Sequence, residues 1–272
     1  MRRLRILFFW ITGTKNNVGF MELVSFLLKP TLAKIASKYI DKIEKKTSYE
    51  VSFKTIPNKL FWPIEFDKEG IHQVVSETFD TSDWHYYRKK YTEVEAGEIL
   101  LDIGAAEGLF SLVVADQCDK IFLVEPNRLF NKCLEKTFES FEKKVTIHKV
   151  AVGDEDGMIN FNEASLSGMV EKNKSETDSS IPVKKIDSII PPNQKITYLK
   201  ADIEGFEYNM LKGAEITIKN NKPKIAITTY HTENNPEEII NLILSYVPEY
   251  QYYVKGIFEQ GPKPVMIHFW IN

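Results

Sequence analysis

Residues 98–110 read Glu98-Ile99-Leu100-Leu101-Asp102-Ile103-Gly104-Ala105-Ala106-Glu107-Gly108-Leu109-Phe110. A short apolar run ending in an acid and a glycine is what a buried parallel strand leaves where it gives way to a helix. Working outward, the pattern alternates. The spacing predicts a helix from about Leu109 to Cys118, a strand over Lys120 to Glu125, a helix from near Asn127 and a strand from about Val145 to Val150. Strands separated by helical stretches imply parallel βαβ units and an α/β fold.

Residues 157–190 break this rhythm. Ile159 to Asn162 and Ile181 to Ile186 are strand-like runs around a polar stretch, which predicts a β-hairpin insertion with a mobile loop over Glu171 to Ser180. The parallel pattern resumes with Ile196 to Asp202, a helix from about Phe206 and a strand over Lys224 to Thr229. Asn235 as N-cap and Pro236 in the first turn then open a helix whose apolar face carries Ile239, Ile240, Ile243, Leu244 and Val247. Two closing strand-like runs, Tyr250 to Val254 and Val265 to Ile271, predict an antiparallel edge on the sheet.

Residues 1–90 read as a helical N-terminal extension, suited to a lid or an oligomerisation segment, and residues 91–272 as the ligand-binding domain. Leu32, Ile35, Ala36, Tyr39, Ile40 and Ile43 recur at helical spacing after Pro30 and predict one amphipathic helix packed on its own domain. Residues 50–95 are aromatic and irregular, and read as a lid segment. The opening Met1-Arg2-Arg3-Leu4-Arg5 followed by an apolar run imitates a signal peptide, but the run is too short to span a bilayer and no small-residue cleavage site follows. A shallow membrane contact and an initiator at Met21 are both compatible with it, and neither is favoured.

The net charge is −3, with lysines interleaved with acids, so the chain builds no large field for a phosphate backbone and nucleic acid is not an expected partner. Cys118 and Cys133 form no Cys-x-x-Cys pair, and reduced, buried thiols in a cytoplasmic protein are expected. A homo-oligomer is compatible with all of this.

Asp102 stands two residues before Gly104, and Gly108 four residues after it, a spacing unlike the dinucleotide Gly-x-Gly-x-x-Gly loop. A pyrophosphate wants a bare helix N-terminus, whereas Asp102 and Glu107 favour a cationic ligand. S-adenosylmethionine (SAM), with a sulfonium and an ammonium, is such a ligand. Glu125 ends the next strand about twenty residues later, where an acid accepts hydrogen bonds from both ribose hydroxyls. Asp154 follows Ala151-Val152-Gly153 and is either a partner of the adenine amine or a turn residue.

A second motif runs Lys200-Ala201-Asp202-Ile203-Glu204-Gly205-Phe206-Glu207, continuing to Leu211-Lys212-Gly213-Ala214. With Asp102 to Gly108 before it, and Val124 to Asn127 and Ala151 to Asp154 between, the chain resembles the FkbM family of SAM-dependent methyltransferases over residues 85–271. The resemblance implies a class I methyltransferase Rossmann-like fold: a seven-stranded, mostly parallel sheet with an antiparallel last strand. It also implies O-methylation of a sugar, glycan or small natural product. It sets Gly104, Ala105, Glu107 and Gly108 against the methionine part of SAM and Glu125 against the ribose. Asp202, Glu204 and Gly205 fall where methyl donor and acceptor meet. Two positions depart from the family pattern: Ala106 stands where Asn is common, and Tyr230 precedes His231 where many relatives carry Glu.

Methyl transfer from a sulfonium is an in-line displacement, so the protein aligns the reactants and helps remove a proton from an alcohol acceptor. Asp202 and His231 end neighbouring strands in this fold, one to take the proton and the other to orient the acceptor. Glu204 is a second carboxylate on the same rim, and catalysis without a metal is expected. Glu207 reads as a helix cap, and Lys200 as either a buried pair or a surface cation. Two other readings stay open: a SAM- or adenosine-binding module without catalysis, and an NAD-dependent oxidoreductase, which the loop spacing disfavours.

Overall fold

The computed structural model describes residues 2–162, 178–231 and 233–272. Three helices come first, α1 (Arg2–Ile11), α2 (Phe20–Leu27) and α3 (Leu32–Ala36). A three-stranded antiparallel sheet follows, β1 (Ile40–Lys45), β2 (Tyr49–Phe53) and β3 (Leu60–Trp62), and then α4 (Lys68–Phe79). The extension is therefore mixed rather than helical. The predicted helix stops at Ala36, and Ile40 and Ile43 lie in β1, paired with Phe53 and Val51 of β2. Their spacing satisfies both periods, and the alternating burial of β2 supplies a partner that a helix would lack. The aromatic segment after it is also ordered, with the Asp67 carboxylate accepting from Glu69 N–H to cap α4.

The main domain runs β4 (Glu98–Ile103), α5 (Leu109–Val114), β5 (Cys118–Val124), α6 (Arg128–Thr137), β6 (Val145–His148), β7 (Ala151–Val152), β8 (Gly157–Asn162) and β9 (Asp178–Lys184). It continues with α7 (Ile186–Ile189), β10 (Tyr198–Ala201), α8 (Glu207–Lys212), α9 (Glu215–Asn221), β11 (Lys224–Thr228), α10 (Pro236–Tyr246), β12 (Gln251–Lys255) and β13 (Met266–Trp270). The seven-stranded sheet has the order β12-β13-β11-β10-β4-β5-β6. From β11 to β6 every neighbour is parallel, and β13 is antiparallel to both β11 and β12. This is the class I methyltransferase arrangement. The closing hairpin β12–β13 is the antiparallel edge that the sequence predicts, with β12 outermost and the last strand, β13, between β12 and β11. All five residues of β13 are buried, as a strand between two neighbours and two covered faces requires, whereas β12 begins exposed.

The hairpin insertion is present: β8 pairs antiparallel with β9, which pairs in parallel with β7. Residues 171–177 of the predicted mobile loop lie outside the described residues, and Asp178 to Ser180 belong to β9.

Alternation along the parallel strands divides the core. Leu100, Ile121, Leu123 and Tyr198 face β1–β3 and α4–α6, while Leu101, Phe122, Val124 and Leu199 face α7–α10. By the same rule Asp102 and Lys200 point with Leu100 and Tyr198, into the layer beneath the N-terminal extension. They sit directly opposite each other in the β4–β10 register.

Candidate active site

A cavity of about 300 Å³ opens at the carboxyl ends of β4, β5 and β10, the crevice where parallel α/β sheets bind ligands. Gly104, Ala105, Glu107, Glu125, Asp202 and Glu204 line it on the sheet side, and Trp62, His85 and Tyr87 cover it from the extension.

The loop after β4 has its shape for steric reasons. Gly104 has φ +70°, and a Cβ there would lie 1.9 Å from the Asp202 carbonyl oxygen, so only glycine lets the two motifs meet. Gly108, at φ +81°, N-caps α5, and a Cβ would strike Leu134 and Phe138. Between them Ala106 takes φ +45°, a left-handed conformation costly for alanine. Its N–H donates to Glu125 Oε2 at 2.8 Å, and Asn127 N–H donates to Glu125 Oε1 at 2.8 Å. Burial pushes the Glu125 carboxyl up to about 7, against these donors and Lys200. Glu107 is likewise pushed up to about 7 by burial.

The second motif forms a charged cluster at the cavity's other end. Asp202 Oδ2 accepts from the Tyr87 hydroxyl at 2.8 Å and Oδ1 from the Thr228 hydroxyl at 3.0 Å. Burial opposes its ionisation, but His85, His231, Lys200 and the Tyr87 hydrogen bond hold its carboxyl below the usual value. Glu207 is wholly buried: Oε1 accepts from Ile203 N–H, the Thr228 hydroxyl and His231 Nδ1, and Oε2 from Gly205 N–H and the Asn234 amide. His231 Nε2 lies 3.2 Å from Glu204 Oε2 and 3.7 Å from Asp202 Oδ1, contacts of charge and not of aligned hydrogen bonds. Burial disfavours the imidazolium, yet Glu204, Glu207 and Asp202 together raise its pKa to about 10. His85 sits 3.4 Å from Glu77 and 3.5 Å from Asp202, and these acids raise its pKa to about 9 against burial. Glu204 has φ +57°, a strained left-handed backbone that Glu207 holds through the N–H groups on either side of it.

Six of the ten residues selected from the sequence thus line one cavity, and four do not. Asp102 is wholly buried beneath the loop, where its carboxylate accepts from the Ser111 hydroxyl at 2.6 Å and pairs with Lys200 Nζ at 2.9 Å. Lys200 also donates to the Gly104 carbonyl at 2.7 Å, so it is the buried partner and not a surface cation. Gly108 packs against α6. Asp154 lies outside the cavity in a surface ion pair with Lys212 at 2.7 Å. His231 stands behind Asp202 and Glu204, outside the lining, beside Tyr230, which does line it. In the sequence Glu207 reads only as a helix cap, and His85 and Tyr87 only as part of the aromatic lid segment, with no signal for their contacts to Asp202.

Among the described residues Asp202, Glu207 and His231 also form a group with ligand-type atoms within 4.8 Å of one another. The Glu207 oxygens in that group are already taken by N–H and O–H donors.

The model of the methyltransferase FkbM domain matches residues 102–254, more than half of the sequence and both glycine motifs. The chain belongs to the FkbM methyltransferase family. The FkbM methyltransferase of Methylobacillus flagellatus KT has the same fold, with 23% sequence identity and a TM-score of 0.53 over 74% of this chain and 54% of that one. This FkbM chain therefore spans about half the length of that relative. A Streptococcus mutans structure in complex with SAH aligns with 10% identity and a TM-score of 0.38, over 65% of this chain and 89% of that one. A tRNA methyltransferase from M. jannaschii aligns with 12% identity and a TM-score of 0.42, over 85% of this chain and 60% of that one. No curated protein matches the sequence.

The family's cofactor is SAM, and the FkbM chain's cavity fits it chemically. Carboxylates dominate its polar lining, Glu107 and Glu125 with Asp202 and Glu204, beside the two cationic groups Lys200 and His85, a set that suits a ligand with ribose hydroxyls and two cationic centres. Among the described residues no helix is long and apolar enough to cross a membrane. Cys118 and Cys133 are both free and buried, and burial raises their thiols to about 12 and about 11.

Proposed function

We propose that this FkbM-family methyltransferase methylates an oxygen of a sugar, glycan or small metabolite. The observation that carries the reading is the carboxylate of Glu204. It reaches into the cavity from a strained backbone and has the His231 imidazolium as its close charge partner. A hydroxyl acceptor must lose its proton as its oxygen bonds to carbon, so a carboxylate with room beside it is the group the reaction needs.

SAM supplies the electrophilic methyl group when bound. Glu125 and Glu107 would hold the cofactor, Glu125 as the acceptor for its ribose hydroxyls. Asp202 accepts from Tyr87 and Thr228 and faces the charges of His85 and His231, so it fixes these neighbours and keeps an oxygen lone pair with which to orient the acceptor. Glu204 accepts the hydroxyl proton. His231 carries its own proton near neutrality and works as an electrostatic clamp and not as a base. Trp62, Tyr87 and Phe110 cover the site and limit water.

Calorimetric titration with SAM, SAH and NAD, repeated on Glu125→Ala, tests the cofactor half. Saturable binding of the first two, weakened by the substitution, is expected, and binding of NAD alone would overturn the reading. A screen of hydroxylated acceptors with Glu204→Gln tests the other half. Methyl transfer to an amine or carbon with equal rates in both proteins would sink the O-methylation assignment.

A further inference from the structure

Seven of the twelve large hydrophobic residues most exposed among the described residues lie before residue 33. Leu4, Phe8 and Ile11 form one face of α1, and Phe20 and Met21 on α2 and Leu28 just after it add further apolar surface, each between 61% and 77% exposed. The two helices form an antiparallel hairpin. Arg3 donates to the Leu27 and Lys29 carbonyls, and Trp10 donates to the Val18 carbonyl and packs its ring against Phe20.

The hairpin does not need this outer face in order to fold. Its inner face, with Ile6, Val18 and Leu23, packs on Trp84 and Ile257. Phe26 stacks on Trp84 at 4.1 Å, and Trp84 Nε1 donates to Glu22 Oε1 at 2.8 Å. A docked helix pair with a second apolar face left open marks a surface built for something else.

Charge selects the occupant. Residues 1–38 hold seven Lys and Arg against the single acid Glu22, in a protein whose net charge is −3; Lys29 is paired with Asp80 and Asp83 and Arg2 with Glu259, which leaves Arg3, Arg5, Lys15, Lys34 and Lys38 as the surplus. Arg2 and Arg5 flank the apolar face of α1, and Lys15 lies between the helices. We propose that the α1–α2 hairpin docks this protein on an anionic lipid bilayer, with Leu4, Phe8, Ile11 and Met21 in the interface and the cations among the headgroups. A second copy is a poor occupant, since a two-fold contact would set the same cations face to face. A nucleic acid would use the arginines but leave the apolar side chains unserved.

Co-sedimentation of the full chain with vesicles tests this. Binding is expected to a two-to-one mixture of phosphatidylcholine and phosphatidylglycerol and not to phosphatidylcholine alone, and it should weaken as salt is raised. Replacing Leu4, Phe8 and Ile11 together by Ser should weaken binding by at least about tenfold, and Arg5→Glu should weaken it too. Both variants should keep the parent's melting temperature and SAM affinity. Should the triple variant misfold, Phe8→Ser with Met21→Ser makes the same test. Failure to sediment with either vesicle overturns the proposal. So does equal binding to both vesicles, or a concentration-dependent dimer that the serine variant dissolves.

Discussion

Glu207 Oε1 and His231 Nδ1 meet at 3.0 Å with Glu207 wholly out of water, so the pair behaves as one buried unit at the end of β11. The imidazolium's pKa is about 10 in the fold, against an ordinary value of 6.5. A raised value on a base stabilises the fold fully below pH 6.5, and that contribution is lost as pH climbs through about 10. Urea unfolding should therefore show stability declining from neutrality toward pH 10, with a shallower decline in His231→Gln. Glu207→Gln should cost about 1–3 kcal/mol, because an amide cannot accept all the hydrogen bonds the carboxylate takes.

Cofactor affinity should depend on pH through the other two acids. Glu107 and Glu125 ionise near 7 in the free protein, and a cationic ligand prefers them charged. SAM affinity is expected to rise between pH 6 and about 8, with proton release on binding. Calorimetry in two buffers of different ionisation enthalpy reads the released protons. Glu125→Gln should reduce their number, and an unchanged count would remove Glu125 from the site.

The Asp102–Lys200 pair should show strong coupling. Lys200→Met leaves a carboxylate buried without its cation and should destabilise the protein by about 3–5 kcal/mol. Asp102→Asn in the same chain should recover part of that loss. A double-mutant cycle by chemical denaturation measures the coupling, and additive effects would contradict it.

Ala106 stores strain at φ +45°. Ala106→Asn, with a side chain more tolerant of the left-handed region, should stabilise the protein by up to about 1 kcal/mol and raise the melting temperature by a few degrees. Gly104→Ala is the opposite case. Its Cβ would stand 1.9 Å from backbone, so loss of SAM binding or of the fold is expected, detectable by calorimetry and circular dichroism.

Local signals made the nucleotide half of the site legible. The strand ending in Asp102, the loop to Gly108 and the acid at Glu125 each follow from period and position; Asn235 caps its helix as read, and the helix read from near Asn127 is capped by that residue. The covering segment was legible as a lid, but its partners were not, because those contacts are long-range: Tyr87 and Asp202 are 115 residues apart and share no pattern. Nor was the small N-terminal sheet, since Ile40 and Ile43 fit either period until β2 is beside them. The reading of Glu207 as a cap of the following helix is overturned: α8 has no side-chain cap, and the carboxylate reaches back to Ile203 and Gly205 N–H and across to His231, which only the pairing of β10 with β11 brings near.

Lys200 reaches the Gly104 carbonyl, and Gly104 admits the Asp202 carbonyl where no Cβ fits, so the two glycine motifs interlock across the β4–β10 register. The consequence is one of inheritance. Neither segment can drift alone, because a side chain gained in the first collides with the second, and a cation lost from the second strands an acid in the first. The two loops are bound to change together or not at all, leaving the surrounding insertion and extension as the parts free to vary around them.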